Sequence, residues 1–348
     1  QPMIYNNFVI TFNGMIYNYR EIRQSLIQKG YKFRTDTDTE VILAGWSAWQ
    51  KDLLPRLRGM FAFALWDRRA KRLVLARDRF GKKPLYFRNW LGNFAFASRF
   101  DAIEALTETA KLSPEALSWL LTLKYIPDPL SACEDVKKLP AGHVMEIVGK
   151  KQTITKWFEP QPDFEALSLS APLQQLKLRD LLDQAVAERL VSDVPVACFL
   201  SGGIDSAIIA SLARNHMPID TFTAGFDERQ FDETTLARET ARHLGTNHNE
   251  VFLKYEEQIG MIDQLLNSAL DEPFGDSSAL PSLFVSKAIK NQATVALSGD
   301  GADELFGGYH KHQGELAVHP WKKLPRTLRY LLKTIITALP QSRANQLS

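Results

Sequence analysis

The sequence predicts an α/β protein of two domains, and three observations carry that expectation. Between Phe8 and about Phe100, short β-type runs follow one another, separated by turn residues and two helical stretches. From Leu176 onward, helix and strand patterns alternate, the order of βαβ units on a parallel sheet. The chain has 348 residues, and at roughly 150 residues per domain that length suits two hydrophobic cores.

The first stretch reads as a layered α/β domain with largely antiparallel sheets, assigned to residues 1–105. Its strands are "FVITF", "MFAFALWD", "RLVLARD", "PLYFR" and "FAFAS", with turns expected at Asn13-Gly14 and Arg79-Phe80-Gly81. "NYREIRQSLIQKG" has helical spacing with Gly30 as C-cap, and "DTEVILAGWSAWQ" is a helix with Asp38 or Thr39 as N-cap. Residues 106–170 are less regular and read as a connector, with "YIPDPLS", "KLPAGH" and the polar "EPQPDFEALSLSAP". The second domain, 171–348, opens with a helix to about Leu190. Strands then follow at 194–200, "IDTFTAGF", "EVFLK" and "ATVALSG", with helices at 206–215, 233–244, 257–270 and 278–290 between them.

Composition narrows the function classes. With 42 basic and 40 acidic residues the net charge is +2, which gives no strong pull toward nucleic acid or an anionic membrane. The two cysteines, Cys133 and Cys198, build neither a disulfide framework nor a Cys/His metal spacing. No apolar run approaches the ~20 residues needed to span a bilayer, and "YLLKTIITAL" is interrupted by Lys333. A cytoplasmic protein is expected.

The chemistry concentrates in "LSGGIDSA" at 200–207 and "LSGDGADELFGGY" at 297–309. Each loop leaves a buried strand with Ser-Gly, and in a doubly wound sheet such strand ends hold the ligand. A strand, a glycine turn and a helix start leave backbone N–H groups free for an anion. No Gly-Lys-Ser/Thr follows the glycines, so this is no Walker A loop, and Ser201 has no G-x-S-x-G frame. Asp205, Asp300, Asp303 and Glu304 offer carboxylates for Mg²⁺, which prefers carboxylate and phosphate oxygens. The plainer reading of 201–206 is a tight turn capped by serine, and of Asp300 an Asx turn beside Gly301. In "DEPFGDSSALP", Asp271, Glu272 and Asp276 either face the substrate or cap the helix that begins near Ser278.

These residues resemble a family. "SDVPVACFLSGGIDSAIIASLA", "FTAGFDERQFDETTLARETARHLGTNHNE", "DEPFGDSSALPS" and "LSGDGADELFGGY" look like the synthetase domain of glutamine-dependent asparagine synthetases, a branch of the N-type ATP pyrophosphatases. The resemblance implies a fold like the adenine nucleotide α-hydrolases. It also implies a reaction: aspartate is amidated to asparagine through β-aspartyl-AMP, with glutamine or ammonia as nitrogen donor and release of AMP and pyrophosphate. By match to the family motif, Ser201, Gly202, Gly203 and Ser206 cradle the pyrophosphate of ATP. Asp205 and Asp303 hold Mg²⁺, and Leu200, Ala224, Ser298 and Gly299 border the adenosine. Asp300 stands where the family has an acidic residue proposed to take a proton from ammonia.

"FNGMIYNYREIR", "DTDTEVIL", "LRGMFAFALWDRRAKRLVLARDRFGKKPLYF" and "KLPAGH" resemble the class II glutamine amidotransferase domain of the same family. That implies a four-layer αββα, Ntn-hydrolase-like domain with Asn13 and Gly14 in the oxyanion hole. Asp38 binds the amino group of glutamine by the same match, and "ARDRFGKKPLYF" is scaffold and domain interface. The family's N-terminal cysteine nucleophile has no counterpart before Cys133, which makes an interior fragment of a longer protein the expectation. Met15 replaces an acidic residue of the pattern, as does Arg99. Two rival readings stand beside asparagine synthesis. One is the same chemistry on another carboxylate, in secondary metabolism or a cell-envelope pathway. The other is a catalytically silent homologue acting as a binding subunit. Relatives are often dimers, so a homodimer is admitted.

Overall fold

The computed structural model describes residues 1–107, 111–226, 232–253, 255–266, 271–322 and 324–330. The first half runs β1 (Met3–Tyr5), β2 (Phe8–Ile16), α1 (Tyr19–Gln28), α2 (Asp38–Trp49), β3 (Gly59–Asp67), β4 (Arg72–Arg77), β5 (Tyr86–Trp90) and β6 (Asn93–Ala97). It continues with α3 (Phe100–Thr107), α4 (Pro114–Leu123), β7 (Val136–Lys138), β8 (His143–Val148) and β9 (Lys151–Lys156). A six-stranded sheet has the order β1-β2-β3-β4-β8-β9 and a smaller one the order β6-β5-β7, with antiparallel pairing throughout.

Period-two alternation sets the layers. Ile10 and Ile16 of β2 and Phe61, Phe63 and Leu65 of β3 pack against Leu26, Ile42, Leu43 and Trp46 of α1 and α2. The other face of β3, through Ala62 and Ala64, packs on Leu85 and Phe87 at β5. Phe100 and Ile103 of α3 then cover the far side of the small sheet, against Tyr86 and Val136. The four layers are therefore helices, sheet, sheet and helix, as the resemblance implied. Each fully buried Leu, Ile or Phe contributes about 1.5–3 kcal/mol relative to exposure.

Two expectations are corrected. Asn13 and Gly14 form no turn; they lie inside β2, paired with Ala62 and Phe61. Residues 136–156, expected in an irregular connector, supply β7, β8 and β9, because β8 finds β4 as a partner. Their strand character comes from that distant pairing and not from local composition.

The second half runs α5 (Phe164–Ser168), α6 (Ala171–Arg189), β10 (Val196–Phe199), α7 (Ile204–His216), β11 (Asp220–Phe226), α8 (Thr234–Leu244) and β12 (Asn247–Leu253). After it come α9 (Tyr255–Gln264), α10 (Ala279–Ile289), β13 (Val295–Leu297), α11 (Ala302–Phe306) and α12 (His310–Lys322). All four strands are parallel, in the order β12-β11-β10-β13. Cys198, Ala210, Ala213 and Ala241 build the core on one face of the sheet, and Ala197, Phe222, Phe284 and Val285 on the other. Two sequence features fall outside the described residues: 227–231 of the "FTAGFDERQF" stretch, and the apolar run beyond Tyr330.

Candidate active site

The strand order creates a switch point. From β10 the chain moves outward to β11 and β12, then returns to place β13 on the other side of β10. Ligands of open α/β sheets bind outside the carboxyl ends of strands at such a point. The loops after β10 and β13 are the two glycine-bearing loops singled out above, and here they touch. A Cβ on Gly299 would lie 2.9 Å from Asp205 Cβ and 3.0 Å from the Ser206 nitrogen, so no side chain fits there.

Leu200 is buried, and its N–H donates to the Phe222 carbonyl at 2.8 Å, fixing the loop to β11 two residues before Ala224. The Ser201 N–H donates to Ser206 Oγ at 3.0 Å, and the two hydroxyl oxygens lie 2.8 Å apart. The Gly203 N–H donates to Ser201 Oγ at 3.2 Å. Gly203 is the N-cap of α7 and offers no side chain, so serine does not cap this helix in the ordinary way. The first N–H groups of α7 have no intrahelical partner, and the helix dipole adds partial positive charge at the same place. Glu233, at the start of α8, accepts the Gly202 N–H at 2.9 Å; nothing in the sequence singled that residue out.

On the second loop, Asp300 is exposed and accepts the Ser298 hydroxyl at 2.9 Å. The Ala302 N–H that an Asx turn would use donates instead to the Gly299 carbonyl at 3.2 Å, so that alternative does not describe Asp300. Gly301 has φ +90°, a conformation glycine adopts without strain. Asp303 opens α11 with its carboxylate against Gly308, where a Cβ would lie 1.9 Å from Oδ1. Among the described residues no three His, Cys, Asp or Glu side chains converge as a metal cage. Asp205 and Asp303 stand one on each loop, and Mg²⁺ is usually held by one or two carboxylates plus substrate phosphates.

The segment "DEPFGDSSALP" sits on this rim. The α10 helix leads through a short turn into β13, so its N-terminus lies at the carboxyl edge of the sheet. Asp271 and Glu272, however, turn to the first half. Asp271 accepts the Phe100 N–H, and Glu272 pairs with buried Lys138 at 2.8 Å. Asp276 accepts the Ser278 N–H at 2.9 Å, and that bond holds its carboxyl below the ordinary range. That bond is an Asx turn just ahead of α10, whose N-cap is Ser278 with no side-chain cap bond, so Asp276 does not cap the helix, and neither alternative describes Asp271 or Glu272.

A second constellation lies in the first half. Gly14 has φ +148°, and a Cβ there would sit 2.1 Å from the Met60 carbonyl oxygen, so β2 and β3 approach closely only because it is glycine. The N-cap of α2 is Thr37, not Asp38 or Thr39. That leaves the Asp38 carboxylate to accept the Ile16 N–H at 3.0 Å, two residues beyond Gly14. Burial pushes the Asp38 carboxyl up from its ordinary value despite these bonds. Asp38 therefore meets β2 at Ile16, on the strand that also carries Asn13 and Gly14.

The segment "ARDRFGKKPLYF" is scaffold. Buried Asp78 accepts N–H groups from Phe61, Phe80, Lys82 and Lys83 at 3.0–3.1 Å, while Arg77 donates to the Gly81, Lys83 and Leu139 carbonyls. The segment also reaches the other half. Burial, then Arg189, lowers the Lys82 ammonium from its ordinary value, and Asp78, then Asp300, oppose that shift. Nearby, Arg189 lies 4.8 Å from the Tyr17 ring centroid, and Arg58 pairs with Glu188 at 3.0 Å. These pairs join residues more than a hundred positions apart, and no local pattern announces them.

Comparison with known proteins accounts for most of the chain. The family model described as a glutamine amidotransferase domain matches residues 1–158, and the one described as asparagine synthase matches residues 177–347. The Bacillus subtilis protein named asparagine synthetase [glutamine-hydrolyzing] 1 is 36% identical over 344 residues, covering 98% of this chain and 54% of its own. The Arabidopsis thaliana asparagine synthetase [glutamine-hydrolyzing] 3 is 31% identical, covering 92% of this chain and 53% of its own. The chain spans about half the length of the curated relatives it matches. Among solved structures, the Bacillus subtilis glutamine PRPP amidotransferase shares 16% identity over 72% of this chain and 48% of its own, with a TM-score of 0.35.

Proposed function

Because the chain belongs to the glutamine-hydrolysing asparagine synthetase family, we propose that the whole protein amidates aspartate to asparagine at the cost of ATP, with glutamine as nitrogen donor. The observation that carries the reading is the meeting of the two loops at the switch point between β10 and β13. One presents open amides at a helix start, and the other presents carboxylates.

In this reading Ser201, Gly202, Gly203 and Ser206 bind the β- and γ-phosphates, and Leu200, Ala224, Ser298 and Gly299 border the adenosine. An aspartate side-chain oxygen attacks the α-phosphorus, the bond to the bridging oxygen breaks, and pyrophosphate leaves. Asp205 and Asp303 would hold Mg²⁺, which when bound neutralises phosphate charge. Ammonia then attacks the acyl carbon, its proton passes to Asp300, and AMP departs with the bonding pair. The chain's part is positioning and charge stabilisation, where preorganised donors contribute most. In the first half Asn13 and Gly14 stabilise the oxyanion of the glutamine amide, and Asp38 takes the amino group. Cys133 and Cys198 are both buried, so neither is offered as the nucleophile of that step.

The test is release of AMP and pyrophosphate by the full-length parent given MgATP, glutamine or ammonium, and aspartate. Aspartate-dependent release with asparagine formed is the expected result, and Asp205→Asn or Asp303→Asn should lower it by about a hundredfold or more. Release with another carboxylate only would move the acceptor, and no release with any acid would leave a silent homologue.

A further inference from the structure

Residues 271–278 occupy the carboxyl edge of the parallel sheet, yet Asp271, Glu272 and Gly275 are anchored to the first half. The Phe100 N–H donates to Asp271 Oδ2, with Arg99 3.6 Å from the other oxygen. Glu272 Oε1 accepts the Ala132 N–H at 2.8 Å. Its Oε2 accepts Lys138 Nζ at 2.8 Å and the Tyr86 hydroxyl at 3.3 Å. Lys138 Nζ also donates to the Ile126 carbonyl at 2.7 Å, so both members of the pair are held at several points. The Gly275 N–H donates to the Lys124 carbonyl at 2.7 Å. The ion pair is nearly dry, with side-chain exposures of 9% and 11%. Burial, and then Glu272, push the Tyr86 phenol above its ordinary value, which keeps it a donor.

Charges of this kind are costly to bury, and apolar pairs of similar volume often serve stability equally well. What an ion pair supplies that an apolar pair does not is a single geometry. Segment 271–278 runs into α10, whose N-terminus lies at the carboxyl edge of the sheet, the same edge from which the second carboxylate loop leaves β13. We propose that the Glu272–Lys138 pair is a latch by which the first half sets the position of residues 271–278 at the acceptor end of the site. Glu272 is then a positioning residue for the acceptor carboxylate and does not touch it. The proposal deepens the functional reading above and rests on it for the identity of the acceptor.

The experiment uses the full-length parent and the double variant Lys138→Met/Glu272→Gln, which removes both charges and keeps a carbonyl oxygen facing the Ala132 N–H. In the folded variant, hydrogen exchange at the Gly275 amide should speed up at least about tenfold while the amides of Cys198 and Leu200 are unchanged. The KM for the acceptor should rise about tenfold, with the KM for ATP within about twofold. A purely structural pair would lower the melting temperature and leave the KM ratio alone. Unchanged Gly275 protection in a folded variant overturns the latch, and faster exchange with an unchanged acceptor KM overturns the positioning role. Should the double variant not fold, Glu272→Asp keeps the charge, shortens the reach, and is judged by the same two readouts. A wild-type parent inert with every acid refutes the functional reading alone, because exchange at Gly275 still decides the latch.

Discussion

The two halves use the same ingredients, carboxylates beside glycine-bearing loops, to opposite ends. In the first half Asp78 is almost fully buried and four backbone N–H groups converge on it, so the loop from Arg79 to Lys83 closes around its own anion. In the second half the amides at the start of α7 stay open, and Asp300 is exposed with a serine hydroxyl as its bond partner. A carboxylate whose lone pairs are all taken is scaffold. One left with free oxygens at the carboxyl edge of a parallel sheet is available to a ligand.

Breaking the closed loop should have the largest effect. Asp78→Ala strands four donors, one of them on the interior strand β3, and should lower stability by about 4 kcal/mol in urea unfolding. A loss below about 1 kcal/mol would remove the distinction between the two loops. Next is Cys198, fully buried on β10, whose thiol burial pushes up to about 12. Its raised folded value means that its contribution to stability is complete below the ordinary 9.0 and is lost as pH rises through about 12. At about pH 8, alkylation of Cys198 should therefore wait for unfolding and run about a thousandfold slower than for a free thiol.

Asp38 stands between the extremes, bonded yet desolvated. Its folded form holds the proton more tightly than the unfolded chain, so its contribution favours folding below the ordinary 3.8 and fades as pH rises through the higher folded value. The stability difference between Asp38→Asn and the parent residue should move in favour of the variant over that window, then level off. A flat difference across the window would show that the Ile16 and Thr39 bonds offset burial completely. The smallest stability effect belongs to the open loop: Asp300→Asn should change unfolding by no more than about 0.5 kcal/mol. A large loss there would make Asp300 a second Asp78.

The parallel half was nearly legible element by element. β10 and β13 are short continuous apolar runs, and β10 to β13, α6 to α8 and α10 lie close to where the sequence put them, although β12 begins at Asn247, ahead of its apolar residues. The antiparallel half was less so. Asn-Gly ordinarily signals a turn, and only the pairing of β2 with β3 across residues 8–16 and 59–67 makes it mid-strand. In "DTDT" several residues qualify as a cap, and the tertiary bond from Ile16 to Asp38 selects Thr37. Exposed β9, "KQTITK", has no buried residue to mark it as a strand; β8 recruits it.

By itself the sequence determined the chemistry each loop carries, because a glycine turn ahead of a helix and an Asp-rich turn are local matters of backbone freedom and side-chain type. Tertiary structure decided which loops meet. That β13 returns to pair with β10 is a fact of strand order, and it alone brings Gly299 against Asp205. It also decided which acids remain for ligands. Glu272 found Lys138 134 residues away, and a partner at that distance is fixed by the packing of two halves and by the cost of leaving a buried charge unpaired.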